Sequence, residues 1–276
     1  AFPTATRLKP QSVSDAAARQ QTKPITLRKI ILVGDSTVQV GSGWGSAFCA
    51  NHVSTVISCL NMGRGGRSTF SYREEGSWNY ALREARVPGY AEVYVLIQFG
   101  HNDQPGKPGR STDLENEFPR NLRQYVSDTL AAGAIPILMT PLTRRSFVDG
   151  VLDDTLAPWS EKTLAVAREM NVPVIDLHAT SMKVVQEMGP VRSLYLSPQP
   201  PSEAVIAAAK RGTSIGAYRP GPAQARGHTK ALTQSAPQQV TFDYTHLGQQ
   251  GANLFARYVA EELVNVAPKL RDQITL

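Results

Sequence analysis

The chain is short of most features that mark metal, membrane or nucleic-acid proteins. It has two cysteines in 276 residues, Cys49 and Cys59. Neither stands at a ligand spacing from histidines or carboxylates, so no metal or other cofactor is expected. No stretch approaches the ~18 consecutive apolar residues of a membrane span. Lysine and arginine do not gather into a run with interleaved aromatics, so no nucleic-acid surface is expected. No charged-then-apolar leader stands in the sequence, and the expectation is that one has already been removed. Charged residues make up 19% and hydrophobic ones 41%, ordinary values for a globular protein. A chain this long buries a large core and is most simply one domain, here expected as a monomer. The net charge of +6 is moderate. Such a field suits an acidic substrate or surface and serves solubility equally.

Cys49 falls near the end of a short helical pattern, and Cys59 lies in the apolar run that follows. A helix packed on its own following strand can bring the two within bridging distance. A disulfide is expected, with two buried thiols as the alternative. A bridge would imply a secreted or periplasmic location.

Residues 1–27 are polar, with scattered proline and glutamine, and read as an arm. The pattern then becomes regular. Apolar, β-branched runs at residues 29–33 (KIILV), 53–60, 93–99 (VYVLIQF), 135–139 and 172–177 (VPVIDL) predict five buried strands. Helical spacing falls between and after them, at residues 114–132, 160–170, 180–188 and 247–266. Such alternation predicts an α/β protein: one three-layer α/β/α domain with a parallel sheet and helices on both faces. Residues 190–240 are rich in Pro, Gly, Ala, Ser and Gln, and are expected to form an irregular insertion within a domain covering 28–276.

In parallel sheets chemistry sits beyond the carboxyl ends of the strands. Three polar stretches carry it here: Val33-Gly34-Asp35-Ser36-Thr37, Phe99-Gly100-His101-Asn102-Asp103 and Asp243-Tyr244-Thr245-His246. The first follows strand one, the second follows strand three, and the third precedes the last helix. Ser36 can be a nucleophile if a base takes its proton. Read alone, Asp-Ser-Thr is better explained as a helix cap. His246 is the candidate base, and Asp243, three residues earlier, can orient it. Asn102 can offer its amide to an oxyanion beside the Ser36 N–H and the N–H of Gly63, Gly65 or Gly66. His101 and Asp103 would make half a metal site, but no further ligand lies at useful spacing.

At these residues the chain resembles the SGNH (GDSL-like) hydrolase superfamily. Gly34-Asp35-Ser36, Gly65-Gly66-Arg67-Ser68, Gly100-His101-Asn102-Asp103 and Asp243-Tyr244-Thr245-His246 stand in the order of its four blocks. Within it, the resemblance is closest to rhamnogalacturonan acetylesterases. Gly43-Trp44-Gly45, Glu75-Gly76, Thr140-Pro141 and Arg144-Arg145 look like that group. The resemblance covers roughly residues 28–266, less the irregular stretch. It implies a sheet of flavodoxin-like order 2-1-3-4-5. It implies Ser36, Asp243 and His246 as the catalytic triad, and Ser36, Gly66 and Asn102 as the oxyanion hole. It implies deacetylation of an acetylated pectic polysaccharide. Of Arg64, Arg67, Arg73, Arg144 and Arg145, one or two are expected to pair with galacturonate carboxylates, Arg67, Arg144 and Arg145 foremost, with solvated or structural arginines as the alternative. The alternatives are another ester (acetylxylan, lipid or small acyl) and a non-catalytic sugar-binding relative. The last would have lost a member of the set Ser36, Gly66, Asn102, Asp243 and His246, and all five stand.

Overall fold

A computed structural model describes residues 25–217 and 242–276. The arm expected over residues 1–27 lies outside them except for 25–27. Five parallel strands form one sheet: β1 (Arg28–Gly34), β2 (Ile57–Asn61), β3 (Glu92–Gln98), β4 (Ile135–Met139) and β5 (Val174–Ile175), in the order 2-1-3-4-5. β1 is central and pairs along its length with β3, Arg28 opposite Glu92 and Gly34 opposite Gln98. The expected order is therefore met. Strand two is shorter than the pattern implied, beginning at Ile57, and strand five keeps two residues of the expected six.

Successive side chains of a strand face opposite sides, and both sides of β1 are covered. Ile30 and Leu32 pack against α1 (Gly45–Asn51), α6 (Leu177–Arg192) and α8 (Gln249–Val266) through Phe48, Val185, Phe255 and Val259. Ile31 and Val33 pack on the other side against α3 (Ser77–Ala85), α4 (Glu117–Ala131) and α5 (Ala157–Glu169) through Trp78, Tyr125 and Val166. All four β1 residues are fully buried. That is why the strand reads as a continuous apolar run rather than an alternating one. A one-turn helix, α2 (Ser71–Glu74), precedes α3.

The stretch expected to be irregular over residues 190–240 is in part regular. Helix α6 kinks at Gly189, whose φ of 74° and following Pro190 end the regular ladder. A 3₁₀ turn covers Ser193–Leu196. Helix α7 (Glu203–Lys210) then forms, with the Ser202 side chain accepting the Val205 N–H, Glu203 in its first turn and Lys210 in its last. Its EAVIAAAK sequence is alanine-rich and strongly helix-forming. Val205 and Ala209 bury against Leu194 and Tyr244. Residues 218–241 lie outside the described residues. Cys49 on α1 and Cys59 on β2 form a disulfide.

Candidate active site

Beyond β1 the chain turns sharply. Val38 and Gln39 donate their N–H groups to Asp35 O, and the Asp35 carboxylate accepts the N–H and hydroxyl of Thr37 at 2.8 Å each. The next helix, α1, starts only at Gly45, so Asp35 holds a turn rather than capping a helix, and Ser36 is left at the head of that turn with 8% of its surface exposed. Gly34 permits this close approach. A Cβ there would meet Gln98 O and Val38 Cγ2 at 2.6 Å. Beneath the turn, Thr37 Oγ1 accepts from Gln98 Nε2 at 2.7 Å, and Gln98 Oε1 accepts from Trp44 Nε1 at 2.8 Å. This fully buried network locks the turn to β3 and α1.

The Asp243–His246 turn meets Ser36 across 210 residues of sequence. Asp243 Oδ2 lies 2.8 Å from His246 Nδ1, and His246 Nε2 lies 2.8 Å from Ser36 Oγ. A carboxylate only accepts, so Nδ1 carries the ring proton and Nε2 is left to accept from the Ser36 hydroxyl. Asp243 Oδ1 accepts the N–H groups of Thr245 and His246 at 2.9 and 2.8 Å. Burial works to raise the Asp243 pKa, but the hydrogen bonds from the His246 ring and backbone outweigh it and hold the carboxyl well below its usual range. Ser42 joins the two turns: its hydroxyl donates to Ser36 O at 2.7 Å and its carbonyl accepts from Leu247 N at 2.8 Å.

The third group of residues closes from the other side. The chain leaving β2 returns to β1 through Met62 N to Leu32 O and Arg64 N to Gly34 O. Asn102 Nδ2 donates to Arg67 O at 3.0 Å, which brings the amide to the turn that holds Gly66. Of the three glycines left open by residue type, Gly63 N donates to Asn61 Oδ1 and Gly65 N to Gln39 Oε1. Among the described residues the Gly66 N–H makes no such bond, and its φ of 77° is one that a side chain would strain. The Gly66 N–H and the second Asn102 N–H are thus donors that could serve an anion together with the Ser36 N–H.

His101 and Asp103 flank Asn102 and are both buried. His101 Nδ1 lies 3.5 Å from Asp35 Oδ2. Burial lowers the His101 pKa to about 4 against the pull of Asp35, so the ring is neutral at pH 7. Asp103 accepts from Thr69 Oγ1 at 2.5 Å and Thr112 Oγ1 at 3.0 Å. Burial still pushes its carboxyl up to about 7. The two side chains point to different partners, and no group of three or more His, Cys, Asp or Glu among the described residues is placed to hold a metal.

The arginines need correction. Arg145, expected at the substrate, is 1% exposed. Its Nη2 donates to Asp243 O at 2.9 Å and His246 O at 2.8 Å, and its Nη1 to Thr245 O at 3.3 Å. The guanidinium is turned inward, under the Asp–His turn, where it serves three backbone carbonyls. Arg144, expected likewise, is 3% exposed, with Nη1 on Thr155 Oγ1 at 2.9 Å. Arg67 does reach the surface, but Glu75 Oε2 accepts from both its Nε and Nη2, a carboxylate it shares with Arg64. Arg73 pairs with Asp128, and Arg64 with Glu75. An open groove of about 440 Å³ runs beside Gly66, lined by Arg67, Phe70, Glu74, Glu75 and Arg110. Residue type alone did not single out Arg110, Lys107, Gln39 or Gln98. Only Gln98 carried a signal, a lone amide inside an apolar strand.

A sequence profile of the GDSL-like Lipase/Acylhydrolase family matches residues 32–194. "Probable rhamnogalacturonan acetylesterase YesY" of Bacillus subtilis (strain 168) is 27% identical over 252 residues, covering 89% of this chain and 96% of its own length. "Rhamnogalacturonan acetylesterase RhgT" of the same organism is 36% identical over 182 residues, covering 63% and 74%. Two crystal structures share the fold. YxiM of Bacillus subtilis has a TM-score of 0.61 at 23% identity, over 88% of this chain and 58% of that one. A variant of Axe2, an acetyl-xylooligosaccharide esterase of Geobacillus stearothermophilus, has 0.50 at 19% identity, over 85% and 93%. With the profile match spanning more than half of its length, and the serine, glycine, asparagine and histidine blocks gathered at one sheet edge, the chain belongs to the GDSL-like (SGNH) lipase/acylhydrolase family.

Proposed function

We propose that this chain is a serine carbohydrate O-acetylesterase acting on an acetylated pectic polysaccharide of the rhamnogalacturonan type. The observation that carries the reading is the pair of 2.8 Å contacts from Asp243 through His246 to Ser36 Oγ. His246 Nε2 takes the hydroxyl proton as Ser36 Oγ attacks the acetyl carbonyl. The Ser36 and Gly66 N–H groups and Asn102 Nδ2 hold the tetrahedral oxyanion. The carbonyl re-forms, the C–O bond to the sugar breaks, and His246 returns the proton to the departing alkoxide. Water, deprotonated by the same nitrogen, then releases acetate and restores Ser36. No step calls on a metal or cofactor.

The sugar-ester reading is supported by the relatives' names, two of which specify rhamnogalacturonan. Export is supported by the Cys49–Cys59 bridge, a bond that persists in oxidising compartments. Acetylxylan is the second reading, since one protein of the same fold bears that kind of name. The test is kcat/KM for acetate release from acetylated rhamnogalacturonan fragments and from neutral acetylated xylan, repeated as salt is raised. A preference of roughly tenfold for the pectic ester, shrinking with salt, is expected where Arg67 or Arg110, which line the groove beside Gly66, takes a galacturonate carboxylate. Equal activity and equal salt response on both would overturn the pectic part alone.

A further inference from the structure

Asn102 is held from two sides, and only one of them has a role so far. Its Nδ2 donates to Arg67 O, while its Oδ1 lies 3.4 Å from Lys107 Nζ. The lysine stands on a loop that is itself pinned. Lys107 N donates to Ser111 Oγ at 2.9 Å, Ser111 N donates back to Lys107 O at 2.9 Å, and Ser111 Oγ donates to Gln104 O at 2.8 Å. Thr112 N closes the loop onto Asp103 O. An ammonium has three donors and no acceptor. It therefore tolerates Asn102 in one sense only, with Oδ1 toward the lysine and the NH₂ toward Arg67 O. The reverse amide would set N–H groups against the ammonium and a carbonyl against Arg67 O.

We propose that Lys107 is a positioning residue of the oxyanion site: by donating to Asn102 Oδ1 it fixes the sense of the amide and sets a positive charge behind the donor that meets the developing oxyanion. Pulling electron density toward Oδ1 makes the Nδ2 hydrogens stronger donors. The charge also acts directly on the oxyanion. This inference rests on the esterase reading.

The lysine is surrounded by charges of both signs. Arg144 faces it from the loop after β4, Arg110 from its own loop, Asp35 from the turn after β1, and Asp103 and the neutral His101 from the loop after β3. Burial, then Arg144, lowers its pKa to about 8, with Asp35 opposing. The ammonium is thus complete below that pH and lost as pH rises through it.

The experiment measures kcat and KM on p-nitrophenyl acetate from about pH 6 to pH 10 for the wild type, Lys107→Met and Lys107→Arg, with Ser36→Ala as background. In the wild type kcat should fall on the alkaline side near pH 8. Lys107→Met should lower kcat at pH 7 by roughly tenfold, less than the ~10²-fold loss of a direct oxyanion donor, with KM within about twofold. It should also lack the fall near pH 8. Lys107→Arg, which stays charged throughout, should recover most of the rate and carry it past pH 9. A Lys107→Met profile parallel to the wild type, or a change confined to KM, would overturn the proposal. If the methionine variant does not fold, a Lys107→Arg profile that still falls near pH 8 overturns it. Ser36-dependent turnover that ignores Lys107 sinks this inference alone. Wild-type turnover no faster than Ser36→Ala sinks it together with the esterase reading.

Discussion

Asp243 works through both carboxylate oxygens, one on the His246 ring and one on the two backbone N–H groups that form the turn. Asparagine at this position can keep the turn but can also accept only at Oδ1, so the ring loses its guarantee of a proton on Nδ1. Asp243→Asn should lower kcat by roughly 10³–10⁴-fold with little change in fold, measured as acetate release beside circular dichroism. The pH dependence has a definite sign. The Asp243 pKa is depressed in the folded state, so the stability it contributes is fully present above the unfolded value of about 4 and is lost as pH falls below it. Asp243 therefore remains ionised through mildly acidic pH. The members of the site were legible as residue types: a serine after a strand, a histidine three after an aspartate, an asparagine after another strand. The residues that hold them in place were not. Whether Arg145 meets substrate or backbone depends on where residues 243–246 fold, and spacing along the chain does not carry that.

Two elements hold the site, and each can be loosened without touching a reacting atom. Arg145 lies under the Asp243–His246 turn, where three carbonyl oxygens share one buried guanidinium. Burial lowers its pKa to about 10, which leaves it charged at neutral pH. Arg145→Met removes those donors from a site water does not fill. It should lower stability by about 2–4 kcal/mol in urea unfolding and reduce kcat more than it raises KM. Unchanged stability would show that the clamp is dispensable. The Cys49–Cys59 bridge ties α1 to β2 behind the nucleophile turn. Replacing both with serine should lower stability by about 2–3 kcal/mol, the value for a short closed loop, while kcat changes little. Helix α7 shows why an element can escape a reading by composition. A stretch rich in Pro, Gly and Ala reads as irregular, yet eight residues with a serine cap and an apolar face against Leu194 and Tyr244 form a helix.

Across the molecule, the sheet brings everything to one edge. The turns after β1, β2 and β3 meet there because β1 is paired on both sides, to β2 and to β3. This arrangement was legible, since continuous apolar runs alternating with amphipathic helices allow few other folds. Strand five and the start of strand two were overextended, because half-buried apolar residues flank both strands, Val53 and Val56 before β2 and Val172 before β5. The edge also carries a titrating core. His101 is buried neutral, with its folded pKa pushed to about 4. Neutral His101 contributes stability that is present above the unfolded value of about 6.5 and is lost as pH falls toward the folded one. Asp103, pushed up to about 7, acts with the opposite sign over part of that range. Comparing His101→Gln with the wild type isolates the first effect. The variant's melting temperature should fall less steeply between about pH 6.5 and pH 4. Parallel slopes would contradict the assignment. The most direct test of the whole account is kcat for acetate release from acetylated rhamnogalacturonan by the wild type and by folded Ser36→Ala. The account predicts a loss of roughly 10⁴–10⁶-fold, as for a nucleophile acting in a triad, and a variant working at near wild-type rate would contradict it.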